Sequence, residues 1–161
     1  RSFHVTGVQT CALPISGTAH RPNAITLDMG GTSADVALIR QARVPTVFSR
    51  EVGGFPIRMP MVDVETVGAG GGSVAWVDRD GLLKVGPKST GADPGPACYG
   101  LGGTQPTVTD ANLILGRLSE DGLLAGTMKL DKAAATSALD TLAQSLDVSL
   151  LRAAQDRKSD V

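Results

Sequence analysis

The stretch Ile25–Arg40, ITLDMGGTSADVALIR, constrains the fold more than any other part of the chain. An apolar run reaches an acid, Asp28, and turns through Gly30-Gly31-Thr32-Ser33. A second acid, Asp35, then leads into another apolar run. Short apolar runs bounded by glycines read as strands, so Ala24–Met29 and Asp35–Arg40 form a β-hairpin. A turn built only to reverse the chain more often uses Asn-Gly or Asp-Gly, without a preceding buried acid. Here Asp28 stands at a strand tip, where a carboxylate can hold Mg2+ directly or through water. Gly30 and Gly31 let backbone N–H groups come close to a polyphosphate, and Thr32 and Ser33 add hydroxyl donors. Asp35 supplies a second acid near the same turn. This pattern suits phosphoryl transfer, where positioning and electrostatics do most of the catalysis. Asp28 and Asp35 are thus candidate catalytic groups, Asp28 is also a candidate metal ligand, and Gly30, Gly31, Thr32 and Ser33 are candidate cofactor-binding residues. A purely structural turn is the alternative. No Gly-Lys-Ser/Thr follows, so this is not a Walker loop.

Downstream, Val44–Val52 carries β-branched residues and reads as a strand, which Pro45 places at an edge. From Met61 the sequence alternates, so Met61, Asp63 and Glu65 share one face while Val62, Val64 and Thr66 share the other. Asp63 and Glu65 are either a carboxylate pair for a metal or proton, or solvated strand charges. The run GAGGGS, Gly68–Ser73, either brings backbone close to a nucleotide, sugar or base, or is a flexible connection. Val74–Val77 and Leu82–Val85 form a hairpin around Asp78-Arg79-Asp80-Gly81. Pro87–Thr104 is a long glycine- and proline-rich loop, of the kind that is usually functional rather than connective. Cys98 within it is a metal-ligand candidate or a small buried thiol. Thr107–Leu118 reads as a helix capped by Thr109 or Asp110. Asp131–Leu146 is the clearest helix, with Leu139, Leu142 and Leu146 on one face and alanines elsewhere. Strands first and helices later indicate an α/β or α+β portion.

The chain has 161 residues, a formal charge of −1 and interspersed acids and bases, which argues against a nucleic-acid or membrane-surface binder. No apolar stretch approaches a bilayer-spanning length, and no lysine-led apolar leader is present. Glycine counts 20 residues against 3% aromatics, which suits loops that meet a ligand with backbone rather than with rings. Trp76 reads as core. Cys11 and Cys98 are two thiols in what reads as a reduced, cytoplasmic protein. His4 lies within, and His20 just inside, an N-terminal segment that reads as foreign, so neither is taken as a general base. Both ends carry a further signal. Val5–Ile15, VTGVQTCALPI, resembles a translated sequencing adapter, and the reverse complement of its codons for Ala12–Ile15 translates as Asp156-Arg157-Lys158-Ser159. Residues 1–16 and 156–161 are therefore expected to be non-native, leaving 17–155 as a partial domain of a longer protein.

Four blocks in order, LDMGGTSADVALI, REVGGFPIRMPMVDVETVGAGGGSVAWVD, GLLKVGPKSTGADPGPACYG and PTVTDANLILGRL, resemble the hydantoinase A/5-oxoprolinase family. The resemblance is strong over Ala24–Leu118 and loose to Leu150. It implies an α/β fold, part of the actin-like/sugar-kinase-type ATPase superfold: a mixed sheet with a hairpin phosphate loop, followed by helices. Two related lobes would clasp ATP. Asp28, Gly30, Gly31 and Thr32 would form one phosphate-binding hairpin, and a second acidic Gly-Gly-Thr hairpin would lie upstream of this sequence. Gly70, Gly71, Gly72 and Ser73 become candidates for nucleotide-side contacts. Asp63, Cys98 and Asp110 become metal-site candidates, with Mg2+ and a second divalent ion such as Zn2+ or Mn2+ in view. Many relatives carry histidine where this chain has Glu65, which puts a metal role there in doubt. The implied activity is ATP-dependent phosphorylation of a cyclic amide, of hydantoin or 5-oxoproline type, with ring opening completed by a hydantoinase B-like subunit or domain. An acetone- or acetophenone-type carboxylase subunit, a small-molecule kinase of the same superfold and a non-catalytic structural lobe are the alternatives.

Overall fold

The computed structural model describes residues 17–121 and 128–155, so the segments expected to be non-native, 1–16 and 156–161, lie outside the described residues. The chain divides into two compact units. Among the described residues one takes 17–29 and Ala34–Val67, and the other takes Gly30–Ser33 and everything from Gly68 onward.

In the first unit the expected hairpin forms. Strands β1 (Ala24–Met29) and β2 (Ala34–Ile39) pair antiparallel in a register running from Ala24↔Ile39 to Met29↔Ala34. On its other side β2 pairs with a later strand, Val64–Val67, giving a three-stranded sheet with β2 in the middle. The expected single strand over Val44–Val52 is instead two short ones, β3 (Thr46–Val47) and β4 (Arg50–Val52). The interruption has a local cause. β4 reverses at once through Gly53 and Gly54, both at positive φ (59° and 83°), into β5 (Phe55–Ile57), while β3 pairs elsewhere, with β6 (Met61–Val62). Asp63 falls between β6 and β7 (Val64–Val67), donating its N–H to Pro45 O at 3.1 Å, so the alternation from Met61 is broken there.

Buried Ala34, Ala37, Ile39 and Val64 make the small core of this unit. β1 is not a buried strand. Ile25, Leu27 and Met29 are 72%, 62% and 51% exposed, because β1 is paired along one flank only and nothing described covers that face.

The second unit starts with a hairpin of β8 (Ser73–Val77) and β9 (Leu83–Ser89). Asp78 shapes its turn, its Oδ1 accepting from the N–H groups of Asp80 (3.0 Å) and Leu82 (2.8 Å). Trp76 is half-exposed rather than core, its indole N–H donating to Gly86 O at 2.8 Å. A 3-10 turn, Ala97–Tyr99, leads to helices α1 (Val108–Ile114), α2 (Lys132–Leu146) and α3 (Leu150–Gln155). α2 buries Ala135, Ala138, Leu139, Leu142 and Ala143, an i, i+3, i+4, i+7, i+8 stripe. The alanines thus share the buried face with the leucines. Leu83, Leu139, Leu142 and Ala154 form one apolar cluster, and Cys98, Leu113, Leu130 and Ala135 a second. Complete burial of a leucine such as Leu139 contributes about 2–3 kcal/mol, which fixes the helices against the hairpin.

Candidate functional site

The turn Gly30–Ser33 and the glycine-rich strap Gly68–Ser73 belong to the same unit, and backbone joins them directly. Gly30 N donates to Ser33 O at 2.8 Å, closing the turn. Gly71 N donates to Gly30 O at 2.9 Å and Gly72 N to Gly31 O at 2.6 Å. The strap therefore is not a flexible connection. Its glycines are required by close approach: a Cβ on Gly70 would lie 2.6 Å from Gly30 O, Ser33 N and Thr32 C, and one on Gly72 would lie 2.9 Å from Gly31 O.

A peptide unit is planar and trans, so each carbonyl points opposite to the N–H of the next residue. Tying Gly30 C=O to the strap turns Gly31 N–H away from it. Tying Gly31 C=O does the same for Thr32 N–H. Neither N–H has an acceptor among the described residues. Gly31 is exposed, and a Cβ there would meet nothing within 4 Å. The result is two adjacent N–H donors turned away from the strap and without an acceptor among the described residues, the arrangement that binds phosphate oxygens.

The strap itself is held from behind. Thr109 N and Thr109 Oγ1 both donate to Gly71 O at 2.9 Å, and Thr90 N donates to Gly72 O at 2.9 Å. Gly70 N donates to Ser73 Oγ at 2.9 Å, and Ser73 N to Gly70 O at 3.1 Å. The N–H groups of Gly70, Gly71, Gly72 and Ser73 are all engaged inside the protein, so these residues bear on a ligand through the turn they hold. Ser89 reaches the turn as well. Its hydroxyl donates to Gly31 O and accepts from the Thr32 hydroxyl, both at 3.3 Å. Ser89, Thr90 and the role of Thr109 were not foreseen from sequence.

In the other unit, the β1–β2 register sets Asp28 directly opposite Asp35, and the β2–β7 register sets Asp35 opposite Thr66. Thr66 Oγ1 donates to Asp35 Oδ1 at 2.6 Å. Two like charges directly opposite on neighbouring strands repel unless a cation lies between them. Mg2+ is commonly held by one or two carboxylates, with water and substrate phosphates completing its shell, and this pair fits that donor set.

The remaining metal candidates do not fit a metal site. Asp110 is fully buried, and its oxygens accept from Ala97 N (3.3 Å), Cys98 N (2.8 Å), Thr107 N (3.0 Å) and Thr107 Oγ1 (2.7 Å). With Asp110 N returning to Thr107 Oγ1, this is a capping box, and the N-cap of α1 is Thr107 rather than Thr109 or Asp110. Cys98 is wholly buried, and burial first, then the Asp110 carboxylate, pushes its thiol far above the usual range. Metal ligation needs the thiolate, which this setting disfavours. Asp63 and Glu65 both face Arg50 Nη2 at 3.4 Å, and Arg50 Nη1 also donates to Val64 O. Among the described residues no group of three or more His, Cys, Asp or Glu side chains is arranged to hold a metal ion.

The sequence matches the hydantoinase/oxoprolinase family over residues 5–159. It is 51% identical over 135 residues to caprolactamase subunit alpha of Pseudomonas jessenii, a match covering 82% of this chain and 19% of that protein. It is 50% identical over 95 residues to 5-oxoprolinase of Saccharomyces cerevisiae, covering 58% of this chain and 7% of that one. Among solved structures, the ATP-dependent caprolactamase of Pseudomonas jessenii aligns with a TM-score of 0.80 at 46% identity, over 91% of this chain and 21% of its own. The nucleotide-free acetone carboxylase aligns with the same TM-score of 0.80 at 31% identity, over 92% of this chain and 21% of its own. The mixed α/β arrangement is thus that of the corresponding portion of these ATP-dependent enzymes, and the chain spans about a fifth of their length or less.

Proposed function

The chain belongs to the hydantoinase/oxoprolinase family, and from that premise we propose that it supplies a phosphate-binding turn to an ATP-dependent enzyme that opens a cyclic amide, of hydantoin or 5-oxoproline type. The observation that carries this reading is the pair of N–H groups, Gly31 and Thr32, turned away from the strap that holds their carbonyls and without an acceptor among the described residues. Two preorganised donors stabilise the negative charge that shifts among phosphate oxygens during phosphoryl transfer. The facing carboxylates Asp28 and Asp35 would hold Mg2+, an ion that supplies charge neutralisation to phosphate oxygens.

The bond between the γ-phosphorus and its bridging oxygen breaks, releasing ADP, as the amide carbonyl oxygen takes the phosphoryl group. The carbonyl carbon then carries a good leaving group. Water adds there and the ring C–N bond breaks, the nitrogen leaving as an amine and the carbon remaining as an acyl phosphate, which a second water hydrolyses to carboxylate and phosphate. We assign that second stage to a hydantoinase B-like subunit or domain, a reading supported by the caprolactamase relative being one subunit of its enzyme. A carboxylase subunit is the second reading, favoured by the acetone carboxylase alignment. The higher identity to caprolactamase, 46% against 31%, favours the amide. No helix among the described residues is long and apolar enough to cross a membrane.

Replacing Asp28 by asparagine in the complete enzyme should abolish ATP turnover while leaving its melting profile unchanged. Undiminished turnover would refute the assignment. ADP release on adding a lactam, but not on adding a ketone with bicarbonate, separates the two reactions.

A further inference from the structure

We propose that Thr109 is a positioning residue for the Gly30–Ser33 turn, acting through Gly71. The inference rests on the phosphate-binding reading of that turn. Thr109 sits one residue inside α1 and is nearly buried. Both of its donors, N–H and hydroxyl, fall on one acceptor, Gly71 O, each at 2.9 Å, across 38 residues of sequence. A carbonyl oxygen has two lone pairs, so this carbonyl is fully engaged and held in direction as well as in place.

The next link is Gly71 N–H on Gly30 O, and the peptide beyond it carries Gly31 N–H on its opposite edge. The orientation of a ligand-facing donor is therefore set by a helix start. That start is itself immobilised: the Thr107–Asp110 capping box closes it, and Asp110 ties in Ala97 and Cys98. A Cβ on Gly71 would lie 2.8 Å from Thr109 Oγ1, so the hydroxyl reaches the strap only because residue 71 is glycine. Thr109 reaches the turn through Gly71, and its side chain also meets the Tyr99 hydroxyl.

The test uses the complete enzyme with its partner subunits, with MgATP as the probe. Thr109→Val keeps shape and removes the hydroxyl, and Thr109→Ser keeps the hydroxyl. Gly31→Ala adds a methyl beside the donors without meeting the protein. Thr109→Val is expected to weaken MgATP binding about 5- to 10-fold. The amide KM should stay within about twofold of wild type, and Thr109→Ser should restore MgATP binding to the same margin. Normal MgATP binding in Thr109→Val beside weakened binding in Gly31→Ala would overturn the positioning role and leave the turn reading standing. Normal binding in both would overturn both. Parallel losses of ATP and amide affinity, or no restoration by serine, would mark Thr109 as a general structural residue and overturn the proposal. Thr109→Ala is read in the same way if the valine variant does not fold.

Discussion

Replacing Gly70 by alanine tests the packing on which the donor geometry depends. The added Cβ would lie 2.6 Å from Gly30 O, Ser33 N and Thr32 C, all of them main chain and none able to swing aside. Non-bonded heavy atoms settle about 3.5–4 Å apart, so strap and turn must separate by about 1 Å. Overpacking of this kind costs about 1–3 kcal/mol. The bonds from Gly71 N and Gly72 N to the turn stretch with it, each contributing about 1 kcal/mol net. A combined loss of about 3 kcal/mol shifts a local opening equilibrium by roughly two powers of ten. Hydrogen exchange on the complete enzyme reads this directly. The amides of Gly71 and Gly72 should exchange about 100-fold faster, while those of α2 should change little. Gly68→Ala is the matched control, because a Cβ there meets nothing within 4 Å. Equal protection of the Gly71 and Gly72 amides in the two variants would show that the strap is not packed on the turn. The account of the Gly31 and Thr32 donors would then fall with it.

Two further outcomes follow from the second unit. Asp110→Ala removes the acceptor of four buried donors and should cost about 3 kcal/mol or more, seen as a lowered melting temperature. A loss under about 1 kcal/mol would mean the capping box is not what holds the loop to α1. Cys98 should resist alkylation in the folded protein at neutral and mildly alkaline pH, since burial and Asp110 keep it a thiol. Its folded pKa lies above the unfolded value, so its contribution to stability is fully present below the ordinary thiol range and is lost as pH rises above it. A Cys98→Ser variant should flatten that alkaline decline, and an unchanged slope would refute the assignment.

The hairpin was legible in the sequence because apolar runs around a glycine turn are local signals, whereas the register that sets Asp28 opposite Asp35 was not. The strap was not legible. GAGGGS has the same composition whether it is a free linker or a segment pressed against another backbone, and only its distance from Gly30–Ser33 decides. The Thr-x-x-Asp spacing of Thr107 and Asp110 did carry the capping box. Placing the cap two or three residues late hid it and left Asp110 looking like a free ligand. Ser89 gave no signal, because its partner Gly31 lies 58 residues away. That the apolar face of β1 is exposed was not legible either, since hydrophobicity reports that a residue favours cover, not that cover is present among the described residues.

The donors without an acceptor among the described residues, at Gly31 and Thr32, belong to the main chain. Every amino acid except proline supplies that N–H, so exchanging the Thr32 side chain deletes neither donor. A site of this kind can drift in its visible letters while keeping its chemistry. In the strap, Gly70 and Gly72 are held to glycine, because a single methyl there meets the backbone of the turn. In a lineage of such proteins, glycine would persist at positions 70 and 72, which hold the turn, and variation would be tolerated in the side chain at position 32.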